Sequence, residues 1–324
     1  VLSSTASRAP VWKVDRGTRS RSVAWMGGSE FAAAGDDGRV ELFEVLTDGP
    51  RWSTSLSSEQ PEQATRAGDD ETLAALNSPW LWDLAVSEVD DGPEILAAGG
   101  DGNVYRWRVP EPDQEGDERP RATTKLGEGG LFALAFDLTN GTAICGGASG
   151  EAKRIQADGV VHSLDGQDAH RAAVLAASFS PNGELLALGL NSGNLVVRQL
   201  DGSYSPDVVL MNDWICALDW HEDGGSICLG TYDGDVRIHT LSTEASPART
   251  WQWHDPTGRR VEATKWLTRD EVVVGLRGSG GESEIILLNQ QCEIPLQSTC
   301  RVDGMPLTLF ELDEQVWCVT SSGA

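Results

Sequence analysis

The sequence predicts an all-β fold, a seven-bladed β-propeller of four-stranded antiparallel blades. Three observations carry this. Seven units repeat along the chain, and their anchors Trp25, Val86, Phe136, Phe179, Trp220, Trp266 and Phe310 stand 61, 50, 43, 41, 46 and 44 residues apart. Each unit joins period-two alternation to a tight turn, the pattern of a small antiparallel meander. Glycine fills 36 of the 324 positions, which is what a fold built from turns requires. One meander cannot bury both of its faces, but a ring of them can, and a ring leaves only short edges.

The units follow in order. Ser22-Val23-Ala24-Trp25 leads to Glu30–Gly35, the turn Asp37-Gly38 and the alternating run Arg39–Phe43. Leu84-Ala85-Val86 leads to Ile95–Gly99, Asp101-Gly102 and Asn103–Trp107. Leu134-Ala135-Phe136 leads to Ala143–Gly147, Ser149-Gly150 and a weak third strand. Ala177-Ser178-Phe179 is followed by the turn Ser180–Gly183, then Leu185–Gly189, Ser192-Gly193 and Leu195-Val196-Val197. Leu218-Asp219-Trp220 leads through Ile227–Gly230 to Asp233-Gly234 and Val236-Arg237-Ile238. Thr264-Lys265-Trp266 leads to Val272–Gly275 and Ile285–Leu288, and Leu307–Phe310 leads to Val316–Val319.

These motifs resemble the WD40-repeat family over nearly the whole chain. The strongest matches are Asp101–Trp107 and the stretch from Asp168-Ala169-His170 to Phe179–Gly183. The resemblance implies a hydrogen-bonded set of His, Ser or Thr, turn Asp and third-strand Trp within one blade. His170 shares its unit with Ser192, but Arg198 stands at the Trp position; Asp101 and Trp107 have no His ahead of them. No unit carries the full set, so the repeats are degenerate and strand packing must supply most of the stability.

The seventh unit ends after two strands, at Ser321–Ala324, while Val11–Val14 reads as a strand without a partner. Residues 1–17 are therefore expected to complete the last blade, with Val11–Val14 as its outer strand and Val1–Ser4 as its third. The N-terminus has neither an apolar signal core nor an initiator Met, so the chain reads as processed, excised, or the propeller domain of a longer protein. Two acidic inserts break the period. Residues 57–78 follow the outer strand Arg51–Leu56 and hold a short helix candidate at Asp69–Leu76; residues 110–121 form a Pro-punctuated loop.

Composition narrows the function. Fifty Asp and Glu oppose 25 Lys and Arg, a formal charge of -25. Direct binding to nucleic acid or to an anionic membrane is thereby disfavoured, because both need clustered cations. Lysine occurs only at positions 13, 125, 153 and 265, so the cations are mainly Arg. A salt-adapted surface and a partner with a basic face explain this balance equally well. No stretch approaches the length of apolar sequence that spans a bilayer. The six cysteines form no CxxC pair and mostly sit in apolar strands, which points to buried thiols and a reducing compartment, with a Cys292–Cys300 bridge as the one alternative. A cytoplasmic location is expected, or a nuclear one in a eukaryote.

No catalytic, metal or cofactor site stands out, and the chain is not expected to be an enzyme. The five histidines lie apart without metal-ligand spacing. Gly275–Gly281 mimics a phosphate loop, but no helix follows it; Asp219–Gly225 lacks the alternating oxygens of a calcium loop, and both read as turns. Asn140-Gly141-Thr142 is a formal glycosylation sequon in a tight turn. What remains is surface. Trp80 and Trp214 stand six residues before the anchors Val86 and Trp220, where the chain enters an innermost strand. They fit either a partner-binding rim around the channel or wedges between blades. Asp83 and Asp219 lie near them in sequence and could add a negative ring; Arg16, Arg19 and Arg21 form the one local basic cluster. The leading reading is a non-catalytic scaffold or adaptor, a subunit of a complex, that presents the channel rim and acidic loops to other proteins. The alternative is a propeller enzyme or quinone-cofactor protein, since units like Gly100–Tyr105 occur in that related class as well.

Overall fold

The computed structural model describes residues 19–44, 49–56, 80–89, 92–111, 114, 116, 119–137, 141–164, 172–200, 204–242, 248–280, 282–290, 297–312 and 315–321. The protein is all-β among these residues, in propeller-type blades of four antiparallel strands. It divides into two compact units between Val174 and Leu175.

The first unit carries three blades. Blade one is β1 (Ser20–Gly27), β2 (Glu30–Gly35), β3 (Arg39–Glu44) and β4 (Trp52–Ser55). Blade two is β5 (Leu81–Val89), β6 (Gly92–Gly99), β7 (Asn103–Arg108) and β8 (Ala122–Lys125). Blade three is β9 (Leu131–Asp137), β10 (Thr142–Gly147), β11 (Ala152–Ile155) and β12 (Val161–Ser163). In each, sequence neighbours pair in meander order, and β5 packs against both β1 and β9.

The second unit follows the same plan. Blade four is β13 (Val174–Phe179), β14 (Leu185–Leu190), β15 (Asn194–Gln199) and β16 (Tyr204–Leu210). Blade five is β17 (Ile215–Trp220), β18 (Ser226–Thr231), β19 (Asp235–Thr240) and β20 (Arg249–His254). Blade six is β21 (Arg260–Trp266), β22 (Glu271–Arg277), β23 (Glu282–Asn289) and β24 (Gln297–Asp303), and a single hairpin follows, β25 (Met305–Leu312) with β26 (Gln315–Ser321). The expectation of seven four-stranded blades is thus corrected to six, because the last unit supplies only two strands among the described residues. Residues 1–17, expected to complete it, lie outside the described residues, as do insert 57–78, His170, Arg16 and Cys292.

The turns explain the local folding. Gly38, Gly102, Gly193 and Gly234 take positive φ between β2-type and β3-type strands, a conformation that disfavours any Cβ. Asp37 and Asp101 each accept the N–H two residues on, at 3.1 Å, which closes the Asx turn. The second strands are buried on both faces because each lies between two layers of neighbouring chain; Ala32–Ala34, Ala143–Cys145 and Ile227–Leu229 are all nearly inaccessible. Fully burying one such Val, Leu or Ile side chain contributes about 1.5–3 kcal/mol.

Close approach between blades sets the small residues. A Cβ on Gly230 would lie 2.1 Å from Val261 of β21, one on Gly275 2.8 Å from Pro306 of β25, and one on Gly189 2.6 Å from Ile215 of β17. The acidic loop after β7 is tied down in part: Arg51 donates to the Pro110 carbonyl at 2.9 Å, and Gly116 lies against the Trp52 indole.

Candidate functional site

A recurrent irregularity shapes one end of the blades. The first hairpin of five of the six four-stranded blades, and the hairpin β25–β26, carries a bulge one or two residues into its first strand. The residues skipped by the register are Arg21, Trp82, Phe132, Cys216, Glu262 and Leu307. A bulge leaves its residue outside the ladder and re-aims the side chain. All six are half-buried.

In front of four of these bulges the hairpin gains one more hydrogen bond. The carbonyls of Arg19, Trp80, Gly130 and Trp214 accept the N–H groups of Asp36, Gly100, Ala148 and Tyr232 at 2.7–3.1 Å. Trp80 and Trp214 therefore occupy the same structural position, in blades two and five. Their surroundings differ.

In the first unit Trp80 is covered. The Arg21 guanidinium lies 4.6 Å from the Trp80 ring centroid and 4.1 Å from that of Trp82, and Asp36 pairs with it. Trp82 in turn meets Phe132 edge-on at 5.3 Å. Three bulge residues from three successive blades thus stack in a row.

In the second unit Trp214 is 46% exposed and packs on Tyr232, itself 48% exposed, at 5.5 Å between centroids. Arg260 lies 5.0 Å over the other partner, Tyr232. Its charge is met by Glu262 at 3.1 Å, and Arg277 reaches the same carboxylate at 3.4 Å. Cys216 sits in this cluster with its thiol pushed up to about 11, by burial first and then by Glu262 and Asp213 against Arg260.

Asp83 and Asp219 bind blades to one another. Asp83 accepts the Ser22 hydroxyl of β1 at 2.9 Å, the Leu84 amide at 2.9 Å and the Leu134 amide of β9 at 2.8 Å. Burial pushes its carboxyl up to about 6 against the pull of those donors. Asp219 accepts the Trp266 amide of β21 at 2.8 Å, and Lys265 stands 3.5 Å away. Burial raises this carboxyl as well, against Lys265 and the Trp266 amide.

The remaining polar groups perform structural work. Asp101 accepts from Asn103 and from the Tyr105 hydroxyl, while the buried Trp107 indole N–H has no partner among the described residues. This is how a blade looks when its four-member set is incomplete. The buried His221 ring meets Trp266 edge-on at 4.9 Å and caps the turn that Gly224 closes. Cys145 and Cys228 are buried, and burial pushes both thiols up, away from reactivity. Among the described residues no group of His, Cys, Asp and Glu could hold a metal ion.

The sequence singled out Trp80 and Trp214 as candidates but not Trp82, Phe132, Tyr232 and Arg260 beside them. The available signal was positional: the bulge residue stands two after each Trp, and Tyr232 immediately precedes the Asp233-Gly234 turn.

Comparisons agree with this geometry. Residues 177–269, which include all of blade five, match the family model of the anaphase-promoting complex subunit 4 WD40 domain. That stretch is similar to a WD40 domain. The chain is 23% identical to a ribosome biogenesis protein ERB1 of Phaeosphaeria nodorum over 278 residues, 71% of this chain and 33% of that protein. It is 27% identical to erb1 of Aspergillus clavatus over 298 residues, 78% of this chain and 37% of that protein. The chain thus spans about a third of the length of the curated relatives it matches.

Proposed function

We propose that this WD40-type chain is a non-catalytic scaffold for protein–protein interaction, and that the blade ends bearing Trp214 and Trp80 meet the partner. The exposed Trp214–Tyr232 pair carries the reading. Trp and Tyr bring large contact area with few torsions to freeze, which is why they concentrate at binding hot spots. Asp83 and Asp219 serve this surface from beneath, by fixing the strands that present it.

The relatives are named for ribosome biogenesis, and we propose that the chain likewise works as a subunit of a protein assembly rather than as an enzyme. Its charge of -25 favours a partner with a basic surface over direct contact with nucleic acid or membrane. In a eukaryote the shared work would place it in the nucleus, in preference to the cytoplasmic location expected from cysteine usage alone. We also propose that residues 1–17 complete the blade begun by the hairpin β25–β26. The lone hairpin β25–β26 supports this, since six other units have four strands.

Affinity capture from a lysate at about 0.1 M and about 0.5 M salt tests the reading. Wild-type protein is expected to retain partners that Trp214→Ala loses at an unchanged melting temperature, with less retained at high salt. Identical capture by both proteins contradicts it.

A further inference from the structure

The chain already shows what its blade-end aromatics accept. Arg21 lies over Trp80 and Trp82, and Arg260 lies over Tyr232; each guanidinium is also paired, with Asp36 and Glu262 respectively. The recurring unit is an aromatic face, an arginine and a carboxylate. A planar, weakly hydrated guanidinium suits such a site better than a compact ammonium does.

Trp214 has the register of Trp80, yet no cation lies over it among the described residues. Arg21 reaches Trp80 from four residues before the anchor of the preceding unit. The same offset in the unit preceding Trp214 holds Leu175, which cannot supply a charge. A carboxylate is nevertheless in place: Asp213 accepts the Trp214 amide through Oδ1 at 2.7 Å and keeps a second oxygen. The site therefore has the aromatic and the anion but lacks the internal arginine.

We propose that Trp214 receives an arginine side chain from a partner protein, stacked on the indole and paired with Asp213. This rests on the scaffold reading above and names the chemistry of its contact. The global excess of acid favours the same occupant.

The test uses the whole chain and two short acetylated peptides, one with two arginines between glycines and one with citrulline in their place. Citrulline keeps the shape and removes the charge. The indole N–H signal that vanishes in Trp214→Phe identifies the residue by NMR. The arginine peptide is expected to shift that signal, with binding weakened about tenfold for citrulline or for Trp214→Ala, and several-fold for Asp213→Asn. An unmoved Trp214 signal, or equal shifts with both peptides, overturns the inference. A protein captured through Trp214 that the arginine peptide fails to displace would overturn it too, and would leave the scaffold reading standing.

Discussion

Asp83 joins three blades through one carboxylate, and its protonation has a measurable consequence. An acid held high in the folded state adds stability that is complete below its ordinary value of 3.8 and lost as pH rises through about 6. A shift of about two units corresponds to roughly 3 kcal/mol at most. Denaturant titrations between pH 4 and pH 7 are expected to show this fall in wild type and a shallower one in Asp83→Asn. Some slope should remain, because Asp219 is raised by the same cause. Equal slopes in the two proteins would contradict the assignment. Asp255 behaves in the opposite sense. Burial alone would raise its carboxyl, but hydrogen bonds from Arg259 and Thr257 outweigh that and hold it at about 2. Its stability is present above 3.8 and lost as pH falls through about 2, so Asp255→Asn should flatten the acid limb of the profile. Trp214→Ala removes a half-exposed ring and should cost under about 1 kcal/mol. A large drop in melting temperature for that variant would mark the indole as a structural wedge.

At the scale of the element, the decisive features are the glycines of the second strands. Gly230→Ala pushes a methyl into Val261 of the next blade and is expected to cost about 1–3 kcal/mol. Gly280→Ala, in an open turn with nothing within 4 Å, serves as the comparison. Equal stability of the two variants would show that the blades yield at this contact. The same features explain what could be read in advance. Ile227-Cys228-Leu229-Gly230 followed by Asp233-Gly234 announces strand, close approach and turn through local chemistry, so six blades were legible from the chain. The bulges at Arg21, Trp82 and Cys216 were not, because a bulge is a matter of register and no residue type at the skipped position signals it. The side chains there range from Arg to Trp to Cys. Tyr232 escaped for a related reason, since its pairing with Trp214 joins positions 18 apart through a strand ladder. The roles of Asp83 and Asp219 were hidden because both reach into a neighbouring blade, at Leu134 and Trp266.

At the scale of the whole molecule, closure and charge organise the reading. The proposed completion of the last blade by residues 1–17 would tie the two chain ends together, and its loss would expose a sheet edge. Deleting residues 1–17 is expected to lower the melting temperature by several degrees, on the order of 4 °C for each 1–2 kcal/mol in a chain of this size. An unchanged melting temperature would leave the hairpin β25–β26 without its proposed partners. The charge of -25 acts on encounter rather than on fold, so partner on-rates should fall with salt while the folded state persists. The central claim is that partners meet this protein at the blade ends around Trp214. Hydrogen exchange, followed by mass spectrometry with and without a captured partner, tests it most directly. Slowed exchange is expected at residues 211–216, 230–234 and 259–262; protection confined to the outer strands β16, β20 and β24, with those segments unchanged, would contradict this claim.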